Sequence, residues 1–568
     1  MIKNYYQEEL NNIRELAREF SRVNPAIAPL LGSKGDDPDV ERLLEGVAFM
    51  SGMVRRTMDE GFPRLIQSLM LLLYPQALLP APSCTMMRFQ PVKGFTQTIK
   101  LKAGSEVASI PVDGATARFS VTRDLLILPA GVTEVKSERL DSGVLKIALT
   151  IQSSAPLSAW LPGTLSLYFD GEYAVASERR RIILQYAKRV EAGTISGGVA
   201  LPEGSLEAGG LENAGTPQER LQEAFSLMRD YFAFPHKFLF LEISGIRERV
   251  DLSGNRLNLI FFLEGFKGSL PSMRPEDFLL NVVPAINVFK HPAVPVQVDH
   301  RRNDYLLRPQ DSESGRISVY RVLEVAARGR DGKARTYVPF ERYAEREKGG
   351  GCYSVSLKKT IQSRRAEHYI TVHYLPDAEP VNETLSVSLE CNNYGVTEQL
   401  HTGEIRVPAE GSPVMATFSN IIPPTRYVDD ADEGGRNWSI LSHLFVNLAP
   451  LLTVDTLREL LDQYALPGDT DVSRRLGNRK RLEAVAALES SGEDYFLRGR
   501  PVHGNRLDLT LDLAGFASMG DMRLFGDALD RFLGLFHHIN TYSRLRVVEK
   551  NSHEELNWNP RLGTKRLV

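Results

Sequence analysis

The chain has 568 residues and is 42% hydrophobic and 24% charged, the proportions of an ordinary soluble globular protein. At about 150 residues per domain it has length for three or four cores. Its 68 Lys and Arg residues nearly cancel its 71 Asp and Glu residues, leaving a net charge of −3 and no overall field to recruit nucleic acid or acidic lipid.

The first 80 residues predict helix. Tyr6, Leu10, Ile13, Ala17 and Phe20 form a heptad seam, with Glu8, Glu9, Arg14, Arg18 and Glu19 off it. So short a seam is marginal as an isolated helix and needs a partner, inside the chain or outside it. A second helix opens at "DPDVERLL". There Asp37 suits the N-cap, Pro38 the first helical position and Asp39 the positive helix end. Leu43, Val47, Met50 and Val54 continue a heptad stripe along it. Pro63 predicts the start of a further helical segment that ends near Pro75.

From about Ser83 the period changes. Leu145, Ile147, Leu149 and Ile151 alternate with polar or small residues, as in a half-buried strand. Turns rich in Gly, Pro and Asp punctuate residues 83–190 and make this region mostly β. Its dense basic run, Arg179-Arg180-Arg181, adjoins Glu178 and reads as a solvated strand edge rather than a phosphate patch. Residues 193–215 carry many glycines without periodicity and predict a linker or long loop. A helix follows, with Thr216 and Glu219 at capping-box spacing, Pro217 just inside its start and Pro235 at its end. "KFLFLEI" and "LNLIFFLEG" read as buried strands, the second apolar on both faces. From Trp438 the pattern turns helical again. A strand follows with Leu507, Leu509, Leu511 and Leu513 in alternation, then a helix through "MRLFGDALDRFLGLFHHIN" and a strand at "SRLRVVEK".

The expected fold is α+β and multidomain. It has an N-terminal helical segment over residues 1–80 and β-rich central domains over 81–192 and 216–430, with the 193–215 linker between them. A C-terminal mixed α/β domain covers 431–568.

"NVVPAINVFKHPAVPVQVDH" at 281–300 concentrates His, Asp and Pro in an apolar stretch. His291 and His300 are nine residues apart with Pro292 and Pro295 between them, unlike a zinc pair at three to five. The stretch reads as a packing motif. Val282, Val283, Ile286, Val288 and Phe289 supply buried area, and Pro284, Pro292 and Pro295 stiffen the path. Asn287, an amide among apolar neighbours, is expected to bond backbone and fix a turn.

No catalytic motif emerges. The adjacent His537 and His538 point about 100° apart on a helix. Asp508 and Asp512 on one strand would lie about 13 Å apart, beyond a glycosidase pair. "GRDGKA" lacks the distal glycine and hydroxyl of a phosphate loop, and no nucleophile elbow or dinucleotide fingerprint is present. Three distant cysteines, Cys84, Cys352 and Cys391, argue for a reducing compartment. The polar start "MIKNYYQEELNNIREL" is no secretory signal. The apolar run "LMLLLYP" is far short of the ~18 residues of a membrane span. A cytoplasmic protein without cofactor or metal is expected.

Several stretches, in their order and spacing, carry a family resemblance over nearly the whole length. They are "YYQEELNNIRELAREFSRVNPAIAPLLG", "DPDVERLLEGVAFMSGMVRRTMDEGFPRLIQSLMLLLYPQALLPAPS", "LMRDYFAFPHKFLFLEI", "NVVPAINVFKHPAVPVQVDHRRNDYLLRP" and "WSILSHLFVNLAPLL". With them belongs the run from "LRGRPVHGNRLDLTLDLAGF" to "LGLFHHINTYSRLRV". The chain resembles the TssF family, also called VasA or ImpG, of the bacterial type VI secretion baseplate.

The resemblance implies a structural role without catalytic residues. Two TssF-like copies would join one TssG-like subunit in a wedge around the hub of a contractile machine. TssK-like and TssE-like subunits would attach, and the sheath would grow from the finished baseplate. Neither nucleic acid nor direct membrane insertion is implied. Tyr6, Leu10, Ile13, Ala17 and Phe20 are then the expected partner face, with packing against residues 40–73 the intramolecular alternative. The competing classes are a polysaccharide hydrolase or lyase, which needs two converging carboxyls, and an adaptor outside secretion.

Overall fold

The computed structural model describes residues 2–23, 38–73, 78–92, 94–194, 198–210, 226–311, 315–329, 334–345, 351–359, 366–374, 382–429, 440, 453–466, 468–497, 500–534 and 541–563. The chain forms two compact units, residues 1–78 with 432–441 and residues 79–431 with 442–568.

In the first unit, α1 (Ile2–Val23) and α2 (Pro38–Leu73) lie antiparallel. Arg14 pairs with Glu41 near the start of α2, while Glu9 accepts hydrogen bonds from Ser51 and Arg55 further along it. Gly52 lets the backbones approach, since a Cβ there would lie 3.2 Å from the Tyr6 nitrogen. Helix α2 begins at Pro38 and runs through Pro63 to Leu73, so the segment expected to start at Pro63 is part of one helix. A proline removes a single N–H donor, and a long helix held on both sides of it can continue through the gap. The proposed N-cap, Asp37, lies outside the described residues.

The second unit is built on sheets. The first, of six strands, runs in the order Ile405–Pro408, Glu106–Ser109, Arg118–Val121, β2 (Val282–Ile286), β1 (Cys84–Pro91), Ala416–Asn420. Met87, Phe89, Phe119, Val283 and Phe418 fill its core. A second sheet pairs Leu145–Ser153 with Arg256–Leu263 over eight residues, from Leu145 opposite Leu263 to Gln152 opposite Arg256. These are the alternating strand and the two-sided apolar strand of the sequence, and Arg256–Leu263 is buried along nearly its whole length. A third sheet holds Leu206–Gly209, Phe240–Ser244, Thr164–Phe169 and Phe278–Leu279. A fourth, with β3 (Phe289–Pro292) at one edge, centres on Ser318–Gly329 and Glu383–Asn392 around Phe289, Val325, Leu385 and Leu389.

The glycine-rich stretch contributes edges. Val199–Ala200 borders the second sheet and Leu206–Gly209 the third. Gly210, at φ +79°, would set a Cβ 2.6 Å from the Lys237 carbonyl, so a glycine is needed there for close approach. Residues 195–197 and 211–225, including the Thr216–Glu219 capping box, lie outside the described residues.

The C-terminal part of this unit carries α4 (Val454–Asp462), α5 (Val472–Glu483) and α6 (Met519–Gly534) with β4 (Val485–Leu497), β5 (Arg500–Leu511) and β6 (Thr541–Glu549). Strand β5 ends at Leu511. Asp512 then caps a turn at Leu513–Gly515, which takes Leu513 out of the expected alternation. Most of "WSILSHLFVNLAPLL" and the pair His537 and His538 lie outside the described residues. Among the described residues no helix is long and apolar enough to cross a membrane.

Candidate assembly interface

The arm comes first. On α1, Leu10 is buried, Tyr6, Ile13 and Ala17 are half-buried, and Phe20 is exposed. Helical geometry puts the first four on the side flanked by Glu9 and Arg14, the side bonded to α2. The opposite result holds on α2. Leu43, Val47, Met50 and Val54 fall on one stripe and are 55–69% exposed, with Phe49 and Met53 beside them. Leu16, Phe20 and Val23 continue open apolar surface along α1. Among the described residues the two-helix arm thus covers one seam internally and leaves a second open to solvent. Isolated apolar side chains on a surface are ordinary, whereas a continuous stripe marks a contact face.

The 281–295 motif is a switch between sheets. β2 pairs with β1, Ile286 opposite Cys84, in the first sheet. β3 pairs with Glu383–Asn392 in the fourth. Asn287 sits between them, 2% exposed. Its amide nitrogen donates to the Arg118 carbonyl at 2.7 Å and to Asn393 Oδ1 at 3.1 Å, and its amide oxygen accepts from Asn393 N at 2.8 Å. One side chain therefore ties a strand of the first sheet to the end of a strand of the fourth. Phe289 is buried under the Arg118 guanidinium, 5.5 Å from its ring centre. Pro292 and Pro295 are exposed on either side of buried Ala293. His291 bonds the Gln310 carbonyl at 2.7 Å, and the His300 ring stacks edge-on with Tyr374.

Sequence reading missed the matching residue at the other end. Asn281, at φ +60°, gives and accepts a hydrogen bond with the Leu128 backbone at 2.9 and 2.8 Å. The signal was an Asn just before an apolar run, since Asn tolerates the left-handed region and can imitate a strand's backbone.

The three-arginine run is not a solvated strand edge. Arg179, Arg180 and Arg181 lie on helix α3 (Tyr173–Tyr186), and all are buried. Successive helical residues point about 100° apart, so burying three in a row requires cover on several sides. Strands of the second and third sheets and helix α6 supply it. Each arginine finds its own carboxylate: Arg179 meets Asp277 at 2.9 Å, Arg180 meets Asp527 at 3.1 Å, and Arg181 meets Glu178 and Glu554 at 2.6 Å. Burial raises the Asp527 carboxyl, but Arg523 and Arg180 outweigh it and hold the group below its usual range. Asp521 on α6 accepts from Tyr173 at 2.6 Å, Tyr231 at 2.8 Å and Arg481 at 2.9 Å. Each of these carboxylates is thus bonded to an arginine or a tyrosine hydroxyl.

A cleft of about 670 Å³ lies between β1 and residues 129–132, 152–154 and 275–281. Among the described residues its lining includes Arg88, Gln90, Ser154 and one carboxylate residue, Glu276.

Comparison with known proteins gives a consistent result. The sequence profile of the family described as "Type VI secretion system, TssF" matches residues 1–565. The type VI secretion system component TssF1 of Pseudomonas aeruginosa is 24% identical, over 99% of this chain and 98% of its own. A chain of the cryo-electron-microscopy structure of the type VI secretion system TssK-TssF-TssG baseplate subcomplex superposes with a TM-score of 0.75. It is 25% identical, covering 92% of this chain and 99% of that one. A chain of the type VI secretion baseplate complex shares the fold over the full length of both, with a TM-score of 0.63 and 24% identity.

Proposed function

The chain belongs to the TssF family and is a subunit of the type VI secretion baseplate, and we propose that it serves there as a non-catalytic wedge subunit. Two copies join one TssG-like subunit through the helical arm. TssK-like and TssE-like subunits attach to that wedge, which surrounds the hub and supports the growing sheath. The assembly stands on the cytoplasmic side of the envelope, held there by other subunits.

The observation that carries this reading is the open stripe Leu43, Val47, Met50 and Val54. Covering each such half-open side chain in a shared bundle contributes up to about 1.5–3 kcal/mol before the entropic cost of association. The seam Tyr6, Leu10, Ile13, Ala17 and Phe20 then acts in two ways. Its first four residues align α1 on α2, and Phe20 joins the contact face. The test is co-expression with a TssG-like subunit. Wild type should co-elute with it, and Val47→Asp with Met50→Asp should elute alone while still folded. Co-elution of that variant at the wild-type ratio would move the joint elsewhere.

A further inference from the structure

Strand β4 is the outer strand of the C-terminal sheet, whose order is β4, β5, β6, Glu555–Asn557. Along one side it is paired with β5 from Val485 opposite Leu511 to Leu497 opposite Arg500. No described residue pairs with its other side. Residues 489–492, 494 and 495 are exposed, so both faces are open to solvent along with the edge.

At the start of β4 the Val485 carbonyl is taken by Arg458 of α4 at 2.7 Å, but from Glu489 to Tyr495 a long edge is left open. Proteins usually blunt such edges with lysine, proline, shortness or a cover, because free N–H and C=O groups recruit other strands. The sequence VAALESSGEDYFL has no Lys, Arg or Pro. Its charges are all acidic: Glu489, Glu493 and Asp494. Glu493 is met by Arg544 at 3.3 Å and Asp494 by His503 at 2.7 Å. Glu489 differs. It lies opposite Asp508, whose carboxylate is taken by Arg506 at 3.1 Å and Arg546 at 3.5 Å. Among the described residues Glu489 itself meets no cation within 4.0 Å. Among the described residues, the middle of the open edge therefore holds a carboxylate without an ion-pair partner.

We propose that β4 receives an extended segment of another baseplate subunit, which adds to this sheet as a further strand and sets a Lys or Arg beside Glu489. The inference rests on the chain's being a baseplate subunit. Main-chain hydrogen bonds would supply affinity, and the cross-strand charge pair would supply choice of partner. A second copy of this chain fits less well, because pairing β4 with itself doubles the acidic charge along the ladder and brings no cation to it.

Hydrogen–deuterium exchange tests this on baseplates purified from cells, set against the isolated chain. Amides of residues 488–495 should slow about tenfold or more on assembly. Glu489→Lys should cut the yield of assembled baseplates about fivefold, the swing from a favourable to a repulsive cross-strand pair, with the melting temperature of the isolated chain not lowered, since the lysine then faces Asp508. Glu489→Gln should fall between the two. Assembled particles whose arm is protected while residues 488–495 exchange at the isolated-chain rate would overturn the inference and leave the acidic residues as guards of an open edge. Particles protecting neither region would overturn the wedge reading as well.

Discussion

Arg180 and Asp527 stand 347 residues apart in the chain and 3.1 Å apart in the structure, both buried. The pair joins α3, inside the β-rich region, to α6 near the C-terminus. Its two halves are unequal. Asp527 serves three donors, Arg180, Arg523 at 3.1 Å and Trp558 at 2.9 Å, while Arg180 has this one carboxylate and the Phe240 carbonyl. Asp527→Leu should therefore cost about 3–5 kcal/mol, because it strands the buried Arg180, the half-buried Arg523 and an indole. Arg180→Met leaves Asp527 two partners and should cost about 1–3 kcal/mol. Urea midpoints of the two variants measure the difference, and equal midpoints would show that Asp527 is not the hub of the cluster.

The same helices meet at a glycine. A Cβ on Gly520 would fall 2.1 Å from the Ser177 carbonyl carbon, where backbone has to yield. Close beside it the Ser177 and Ser518 hydroxyls share a hydrogen bond of 2.9 Å. Gly520→Ala should separate α6 from α3 and cost about 1–3 kcal/mol as overpacking, although alanine favours helix. A melting temperature equal to or above wild type would refute that packing.

The arm separates folding from association. Leu10 is buried between α1 and α2, so Leu10→Asp should lower helicity by circular dichroism as well as binding. Phe20 and Val47 are exposed, so Phe20→Asp and Val47→Asp should leave helicity intact and weaken only the complex with a TssG-like subunit. Ile13→Asp, from a half-buried position, should affect both. If all four substitutions lowered helicity equally, the open stripe would be part of the fold rather than a contact face.

Asn287 presents the clearest polar test. Asn287→Leu keeps the branched outline in a somewhat larger side chain and leaves the Arg118 carbonyl and the Asn393 N–H without this partner. Each unmet buried group costs about 1–3 kcal/mol. The variant should lose more stability than Pro295→Ala, whose side chain is exposed. Matching unfolding midpoints for the two would remove Asn287 as the link between sheets.

How far these features could be read in advance depends on distance along the chain. The heptads of the arm, the alternation at Leu145–Ser153 and the proline start of α2 are local patterns, and local patterns declare themselves. The buried arginines did not. Three adjacent charges resemble a wet surface until carboxylates from residues 277, 527 and 554 arrive, and no spacing announces partners that far away. Strand β4 was also hidden. Its Ser490-Ser491-Gly492 centre has low strand propensity, and only pairing with β5 makes it a strand. The open stripe on α2 was visible as a heptad, but whether α1 or an outside partner covers it is a question of which face turns inward.

Acid should destabilise the chain through two half-buried histidines. Burial and, less strongly, Arg481 push His236 down to about 4 from the usual 6.5, against a smaller upward pull from Asp521. Its ring lies 5.0 Å from that of Tyr173 and 5.6 Å from that of Phe234. Burial alone lowers His368 to about 4. The unfolded chain takes up these protons near pH 6.5, and the folded chain resists until near pH 4. Stability is therefore whole above pH 6.5, falls as pH drops through that window, and loses no more from these groups below it. For His236 the full loss is about 3 kcal/mol. His236→Phe keeps an aromatic ring in the site and removes the proton. It should flatten part of the decline in urea midpoint between pH 7 and pH 5, leaving the part due to His368. A decline identical to wild type would mean that His236 titrates freely and is not held neutral by its surroundings.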